Sequence, residues 1–339
     1  MKTPAEPRIV KLSDLAPGEA GDLFALLAGK ERGTTRDGKP YYRLTFRDAA
    51  RSAAVMVWHD SPHFDDCEAR WKKGGFFKLR GRYSETSYGP QLDLDRVRPV
   101  VEADAAEGFD PDAFFPSTRF DADAMYRALV RLVEEHVSDL PLRRLVLGVL
   151  SDHESELLRL PGEAKRHHVA AGGFVEHVLS VARTALFLAD KYAEHYPRLG
   201  LSKDLVVAGA VLHDIGKLAE IDPRPEGSDY TPRGRLIGHV LLGRDLVRDK
   251  AREIDGLDPE VLLRLEHVIV SHHDLPESGS PVPPSTPEAL IVHHADTLDA
   301  KLDMMATALA SPNPDGDPFT TRDNPLRRPF FRGLDGTGR

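Results

Sequence analysis

Cysteine is almost missing from this chain: Cys67 is the single one among 339 residues. One thiol excludes an intramolecular disulfide framework and a structural thiolate zinc site, and it is compatible with a reducing compartment. No apolar run reaches the roughly 18 residues that a membrane-spanning helix needs, and no charged-then-apolar amino terminus marks the chain for export. A cytoplasmic protein without a membrane partner is expected. Internal repeats and low-complexity tracts are lacking as well. Positive charge is also in deficit: 45 Lys and Arg against 54 Asp and Glu leave a net charge of -9, which a simple nucleic-acid binder would not show.

What is present is enough apolar material for real cores, at 41% of residues, and a length that suggests two domains. The charge is unevenly spread. Residues 1–102 hold 18 Lys and Arg against 15 Asp and Glu, or +3, which leaves 27 against 39, or -12, for the remainder. The first hundred residues read as short strands, 21–29, 41–46, 53–58, 76–83 and 91–97, divided by turn signals such as Arg36-Asp-Gly38 and Ser87-Tyr-Gly89. The stretch 60–73 is a helical or irregular insert before the fourth strand. In Tyr41-Tyr-Arg-Leu-Thr-Phe-Arg47 and Phe76-Phe-Lys-Leu-Arg-Gly-Arg-Tyr83, apolar residues alternate with Arg or Lys, so one face points inward and a basic, aromatic-bearing face outward. Tyr42, Trp58, Tyr83 and Tyr88 are candidate stacking residues. Arg43, Arg47, Lys78, Arg80 and Arg82 are candidate phosphate partners.

A turn-rich acidic stretch, 104–120, reads as a linker. Beyond it the pattern is helical, with apolar residues at three- and four-residue spacing over 121–138, 142–150, 153–160, 174–194, 203–213, 236–254, 259–271 and 287–309. The expected organisation is multidomain α+β: a small β-barrel over 1–103, an all-α helical bundle over 121–311, and a tail over 312–339. Pro- and Gly-rich turns at 222–234 and 275–284 lie between the helices and are expected to face substrate.

His213-Asp214 ends the apolar run Leu205-Val-Val-Ala-Gly-Ala-Val-Leu212, and further candidates stand at His177, His239, His272, His273, His293 and Asp296. A dinuclear centre for phosphoester hydrolysis needs imidazoles as terminal ligands and a carboxylate that bridges two ions about 3.5–4 Å apart. Asp214 is the natural bridge. Neighbouring helical residues point about 100° apart, so other helices must bring ligands round to His213 and Asp214, and His177, His239, His272 and Asp296 are those contributions. The donor set is nitrogen and oxygen only, which suits Mn, Fe, Co, Ni, Zn or Mg.

In this order, His177, then His213-Asp214, then His239 and His272, then Asp296, the chain resembles the HD phosphohydrolase superfamily. The barrel looks like an oligonucleotide-binding (OB) fold, a five-stranded barrel that binds single strands through stacked aromatics and a basic groove. Barrel, linker and HD helices together resemble the YhaM-type 3′-to-5′ exoribonucleases. The likeness is carried by Ala164-Lys-Arg-His-His168, Gly172-Gly-Phe-Val-Glu-His177, His213-Asp-Ile-Gly-Lys217, Gly238-His239, Ser271-His-His273, Glu277-Ser-Gly-Ser-Pro281, His293-His-Ala-Asp296, Leu298-Asp-Ala-Lys301 and Phe319-Thr-Thr-Arg-Asp323.

The resemblance implies divalent metal ions, two per site with manganese foremost, single-stranded RNA or DNA as substrate, 3′-to-5′ polarity, release of nucleoside monophosphates, and self-association. Asp214 bridges, with His177, His213 and Asp296 completing one ion's shell and His239 and His272 the other's. Lys217, one turn past Asp214, is expected to reach a phosphate oxygen. His293 shares a helical face with Asp296 and is expected to support a ligand or protonate the leaving group. His167, His168 and His273 are candidate substrate contacts. Three other readings stand beside this one. A nucleotide or cyclic-dinucleotide phosphohydrolase would use the same centre, an oxygenase would carry a di-iron centre, and a non-catalytic adaptor would only bind single strands.

Overall fold

A computed structural model describes residues 9–114, 118, 120–163, 168, 170–224, 227–311, 313 and 316–334. The chain divides into two compact units, Met1–Pro116 with Arg224–Gly227 in one and Ser117–Pro223 with Ser228–Arg339 in the other. His167 and its neighbours 164–166 lie outside the described residues.

In the first unit, β1 (Ala20–Thr34), β2 (Pro40–Arg47), β3 (Ser52–Trp58), β4 (Phe76–Thr86) and β5 (Gly89–Pro99) close a barrel in the order β1-β2-β3-β5-β4, the Greek-key arrangement of an OB fold. Helix α1 (Phe64–Arg70) fills the insert between β3 and β4. Period-two alternation is strict where strands are covered on one face. Tyr42, Leu44 and Phe46 of β2, Val55 and Val57 of β3, and Phe77, Leu79 and Tyr83 of β4 enter one core with Trp71 and the buried thiol of Cys67. Gly81 is needed inside β4 because a Cβ there would stand 2.6 Å from the Asp93 carbonyl oxygen of the paired strand.

The stretch expected as a linker is packed over its described part. A 3₁₀ turn at Glu102–Glu107 is tied down by Asp104, whose buried carboxylate accepts both guanidinium nitrogens of Arg98 at 2.6 and 2.7 Å and the Val101 N–H at 2.8 Å. Phe109 and Phe114 then close over Phe24 and Phe76 on the barrel's flank. Aromatic burial holds this stretch, which turn composition alone does not foretell.

The second unit contains α2 (Ala122–His136), α3 (Leu140–Asp152), α4 (Glu154–Leu157), α5 (Gly173–His195), α6 (Lys203–Leu212), α7 (Lys217–Glu220), α8 (Pro232–Ile237), α9 (His239–Ala251), α10 (Pro259–Ser271) and α11 (Pro287–Ala310), with a small hairpin of β6 (Ile221–Asp222) and β7 (Asp229–Tyr230) after α7. Side-chain caps start the helices where Asp, Ser or Thr precedes them: Asp121, Asp139, Ser202, Asp258 and Thr286 each accept a backbone N–H of the first turn. Helix α6 is buried on all sides, and Val178, Val206, Val211, Val268 and Val292 join α5, α6, α10 and α11 into one core.

The helix expected over 236–254 is two helices. Gly238 has φ +79° and ψ 150°, which ends α8, so His239 opens α9 rather than lying within a longer helix. In the stretch expected as a tail, described residues pack on the bundle: the buried guanidinium of Arg332 donates to the carbonyls of Ala308, Leu309 and Ser311, capping α11.

Candidate metal centre

Four helix ends converge. His177 lies in the first turns of α5, His239 begins α9, and His213 and His272 follow the last residues of α6 and α10. Asp214 comes next after His213, and Asp296 projects from α11. All six are buried or nearly so, and His213 and His272 have no exposed surface.

Asp214 divides the cluster. Its Oδ2 faces His177 Nε2 at 3.5 Å and His213 Nε2 at 3.4 Å, while its Oδ1 faces His239 Nε2 at 3.2 Å and His272 Nε2 at 3.5 Å. Asp296 Oδ1 stands 3.2 Å from His177 Nε2 and 3.8 Å from His213 Nε2. His273, expected among the substrate contacts, joins the second group, with its Nε2 3.1 Å from His239 Nε2.

These residues fit a divalent cation. His213 Nε2, His272 Nε2 and Asp214 Oδ1 are buried without a hydrogen-bond partner among the described residues, and each such atom costs about 1–3 kcal/mol unless something satisfies it. His272 Nε2 and Asp214 Oδ1 belong to the group of donor atoms with His239 and His273, and His213 Nε2 to that with His177 and Asp296, and each group is compact enough to hold a cation. Burial works to raise the carboxyl of Asp214, yet Lys217, His213, His177 and His239 hold it well below the usual range. Burial likewise opposes protonation of His239, but the carboxylates of Asp214 and Glu220 beside it lift it to about 9. His273 is pushed down to about 2 by burial and by His272 and His239 beside it. Buried carboxylates therefore favour positive charge on His177 and His239, while burial keeps His272 and His273 neutral and so able to ligate a cation.

Lys217 does not point to an open phosphate site. Its Nζ is buried, 2.6 Å from Asp214 Oδ2 and 2.6 Å from the Gly162 carbonyl, so it anchors the dividing carboxylate. Nor does His293 face the cluster: its Nδ1–H donates to the His272 carbonyl at 2.7 Å, which steadies the turn that carries His272. His168 Nε2 donates to Asp299 Oδ2 at 3.0 Å.

Asp299 and Glu220 carry weight that the sequence left unassigned. Asp299 also accepts His177 Nδ1–H at 2.7 Å and the Ser180 hydroxyl, and Glu220 Oε2 accepts His239 Nδ1–H at 3.0 Å. A usable signal existed for Asp299, which follows Asp296 by three residues and so shares its helix face.

On the barrel, Tyr83 is 1% exposed and Tyr42 is 7% exposed, so neither can stack on a ligand. The Tyr83 hydroxyl donates to Glu85, and Arg51 covers its ring. The alternation that places Arg82 outside places Tyr83 inside. Trp58, 45% exposed, pairs instead with Tyr41 across the β2–β3 register, ring centroids 5.2 Å apart. Tyr41 lies over Gly33, where a Cβ would meet the ring at 2.3 Å. Exposed Arg43 shares the outward face of β2 with Tyr41 and makes no hydrogen bond or ion pair to a described residue. The remaining basic candidates are engaged: Arg80 by Asp22 at 2.9 Å, Arg82 by the Gly18 carbonyl, Lys78 by Glu107, and half-buried Arg47 by the Phe114 carbonyl at 3.3 Å. Tyr88, at the β4–β5 turn, is 86% exposed.

The family model described as "HD domain" matches residues 174–301. The "3'-5' exoribonuclease YhaM" of Bacillus subtilis (strain 168) is 31% identical over 297 residues, which cover 88% of this chain and 90% of that protein. Two solved structures of a domain of replication protein A from Methanococcus maripaludis, one titled as its second OB-fold domain, match 27% and 28% of this chain and 94% and 96% of their own. Their identities are 17% and 20%, and the TM-scores 0.23 and 0.22. No described helix is long and apolar enough to cross a membrane.

Proposed function

The chain belongs to the family of YhaM 3′-5′ exoribonucleases, and from that membership we propose that it hydrolyses single-stranded RNA from the 3′ end to nucleoside monophosphates, using two divalent cations, manganese foremost, in the cytoplasm. It is a hydrolase of the HD superfamily. One observation carries the two-ion reading: the two oxygens of Asp214 face two separate histidine pairs, as a bridging carboxylate must.

His177, His213 and Asp296 would hold one ion and His239, His272 and His273 the other, with Asp214 between them. Bound there, the ions would supply an activated water and positive charge against the phosphate oxygens. The protein's own groups keep that arrangement in place. Lys217 pins Asp214 Oδ2 and, being buried, neutralises it without reaching substrate. His293 steadies the backbone of His272. His273 is the most open histidine of the cluster, its side chain 24% exposed against 14% for His239.

The test is a 5′-labelled single-stranded RNA about 20 nucleotides long, incubated with the purified chain and Mn²⁺ or with chelator. A ladder shortening from the 3′ end, lost with chelator, is the expected result. Intact RNA under both conditions, with turnover of free nucleotides instead, would overturn the reading in favour of a nucleotide phosphohydrolase.

For the barrel we propose the Tyr41–Trp58 pair and Arg43 as the single-strand contact. Stacking on an aromatic ring contributes about 1–3 kcal/mol per base. Trp58→Ala is therefore expected to weaken RNA binding about 10- to 100-fold by fluorescence anisotropy and to leave hydrolysis of a dinucleotide unchanged. Equal affinity in the variant and the parent would remove this face from the interface.

A further inference from the structure

The four histidines around Asp214 are backed in two different ways. His213 and His272 each follow a helix C-terminus and donate Nδ1–H to a carbonyl three residues back, Ala210 at 2.8 Å and Ile269 at 2.7 Å. A helix offers such acceptors there because its last carbonyls lack intrahelical partners. His177 and His239 lie at helix starts, where the carbonyls are already committed to the helix. Their acceptors come from elsewhere and are carboxylates: Asp299 for His177 and Glu220 for His239.

Each carboxylate is itself fixed. Asp299 accepts from Ser180 through Oδ1 and from His168 and His177 through Oδ2. Glu220 accepts the His239 backbone N–H at 3.0 Å through Oε1 and its Nδ1–H through Oε2, so it grips both ends of that residue. A Cβ on Gly234 would stand 2.5 Å from the Glu220 carbonyl oxygen and 2.8 Å from Cγ, which shows how closely the backbone encloses it.

We propose that Asp299 and Glu220 are positioning residues that act one on each half of the centre, Asp299 through His177 and Glu220 through His239. A carboxylate that accepts Nδ1–H fixes the tautomer, aims Nε2 inward and increases its basicity more than a neutral carbonyl does. Each half then has one carboxylate-backed and one carbonyl-backed imidazole facing Asp214, with His273 beside the second pair. Removing either carboxylate weakens one ion's binding and spares the other. The inference rests on the two-ion reading given above.

The experiment is calorimetric titration of the metal-stripped full chain with Mn²⁺, with metal-free thermal melting alongside. The parent should bind two ions. Asp299→Asn should weaken one of the two constants about 10- to 100-fold, the range that loss of such support produces, and Glu220→Gln should weaken the other. In a His177→Ala background, Asp299→Asn should add nothing while Glu220→Gln keeps its effect. Ser180→Ala, which leaves the carboxylate in place, should give a smaller shift in the constant that Asp299→Asn affects and guards against a variant that fails to fold. Unchanged constants, or equal weakening of both constants in both variants together with lower metal-free melting temperatures, would overturn the proposal. A parent that binds fewer than two ions overturns the two-ion reading, and this inference with it.

Discussion

Asp214→Asn is expected to abolish Mn²⁺-dependent RNA hydrolysis, by at least about a thousandfold, which corresponds to on the order of 4 kcal/mol in the barrier. The amide is nearly isosteric, so the fold should survive, but its NH₂ cannot bridge and would turn donor hydrogens toward two imidazole nitrogens. Metal content should fall in parallel. Asp214→Ala adds a stability defect, because Lys217 Nζ would keep only the Gly162 carbonyl in a buried site. Burial disfavours the charged ammonium, and Asp214 is the chief group that offsets it. Breaking one side of such a buried pair costs about 3–5 kcal/mol, while replacing both sides by apolar groups can be nearly neutral. A double-mutant cycle with Lys217→Met should therefore recover most of the melting temperature and none of the activity. Activity within tenfold of the parent in Asp214→Asn would remove this residue from the centre.

Gly216→Ala should be nearly as damaging, although it adds only a methyl group and the residue has ordinary helical angles, φ -67° and ψ -12°. Volume, not backbone freedom, requires glycine there. A Cβ would stand 2.0 Å from the His239 carbonyl oxygen and 2.4 Å from the Gly243 nitrogen, both backbone atoms of the first turns of α9. Side chains cannot swing away to relieve this contact, so α7 and α9 must part, and His239 Nε2 must leave its position 3.2 Å from Asp214 Oδ1. Overpacking usually costs about 1–3 kcal/mol, and this site belongs at the upper end. With about 2–4 °C per kcal/mol in a unit of this size, melting should drop by roughly 6–12 °C, and bound Mn²⁺ should fall from two ions toward one. Gly243→Ala is the internal comparison. Its Cβ would meet the Gly216 nitrogen at 3.0 Å, and alanine's better helix propensity, about 1 kcal/mol, offsets part of the cost. If the two variants melt alike, close packing between α7 and α9 does not explain the glycines.

Much of this was legible in the linear chain because it depends on local properties. Hydrophobic period separates strand from helix, so a barrel followed by helices could be read directly. Nitrogen and oxygen donors at helix-compatible spacing marked His177, His213, Asp214, His239, His272 and Asp296, which the structure gathers around one carboxylate. The inward place of Tyr83 was legible too, since it shares the phase of Phe77 and Leu79.

Other features existed only after the chain closed on itself. The partner of Lys217 depended on whether its helical turn is buried. The break at Gly238 required a positive φ that no periodicity encodes, and it placed His239 at a helix start. The roles of Asp299 and Glu220 follow from which helix end carries each histidine, because helix C-termini offer free carbonyls and N-termini do not. Residue types and their order therefore determined the chemistry available to this protein. Tertiary structure decided which atom of each residue faces the centre, because orientation is set by contacts between segments far apart in the chain.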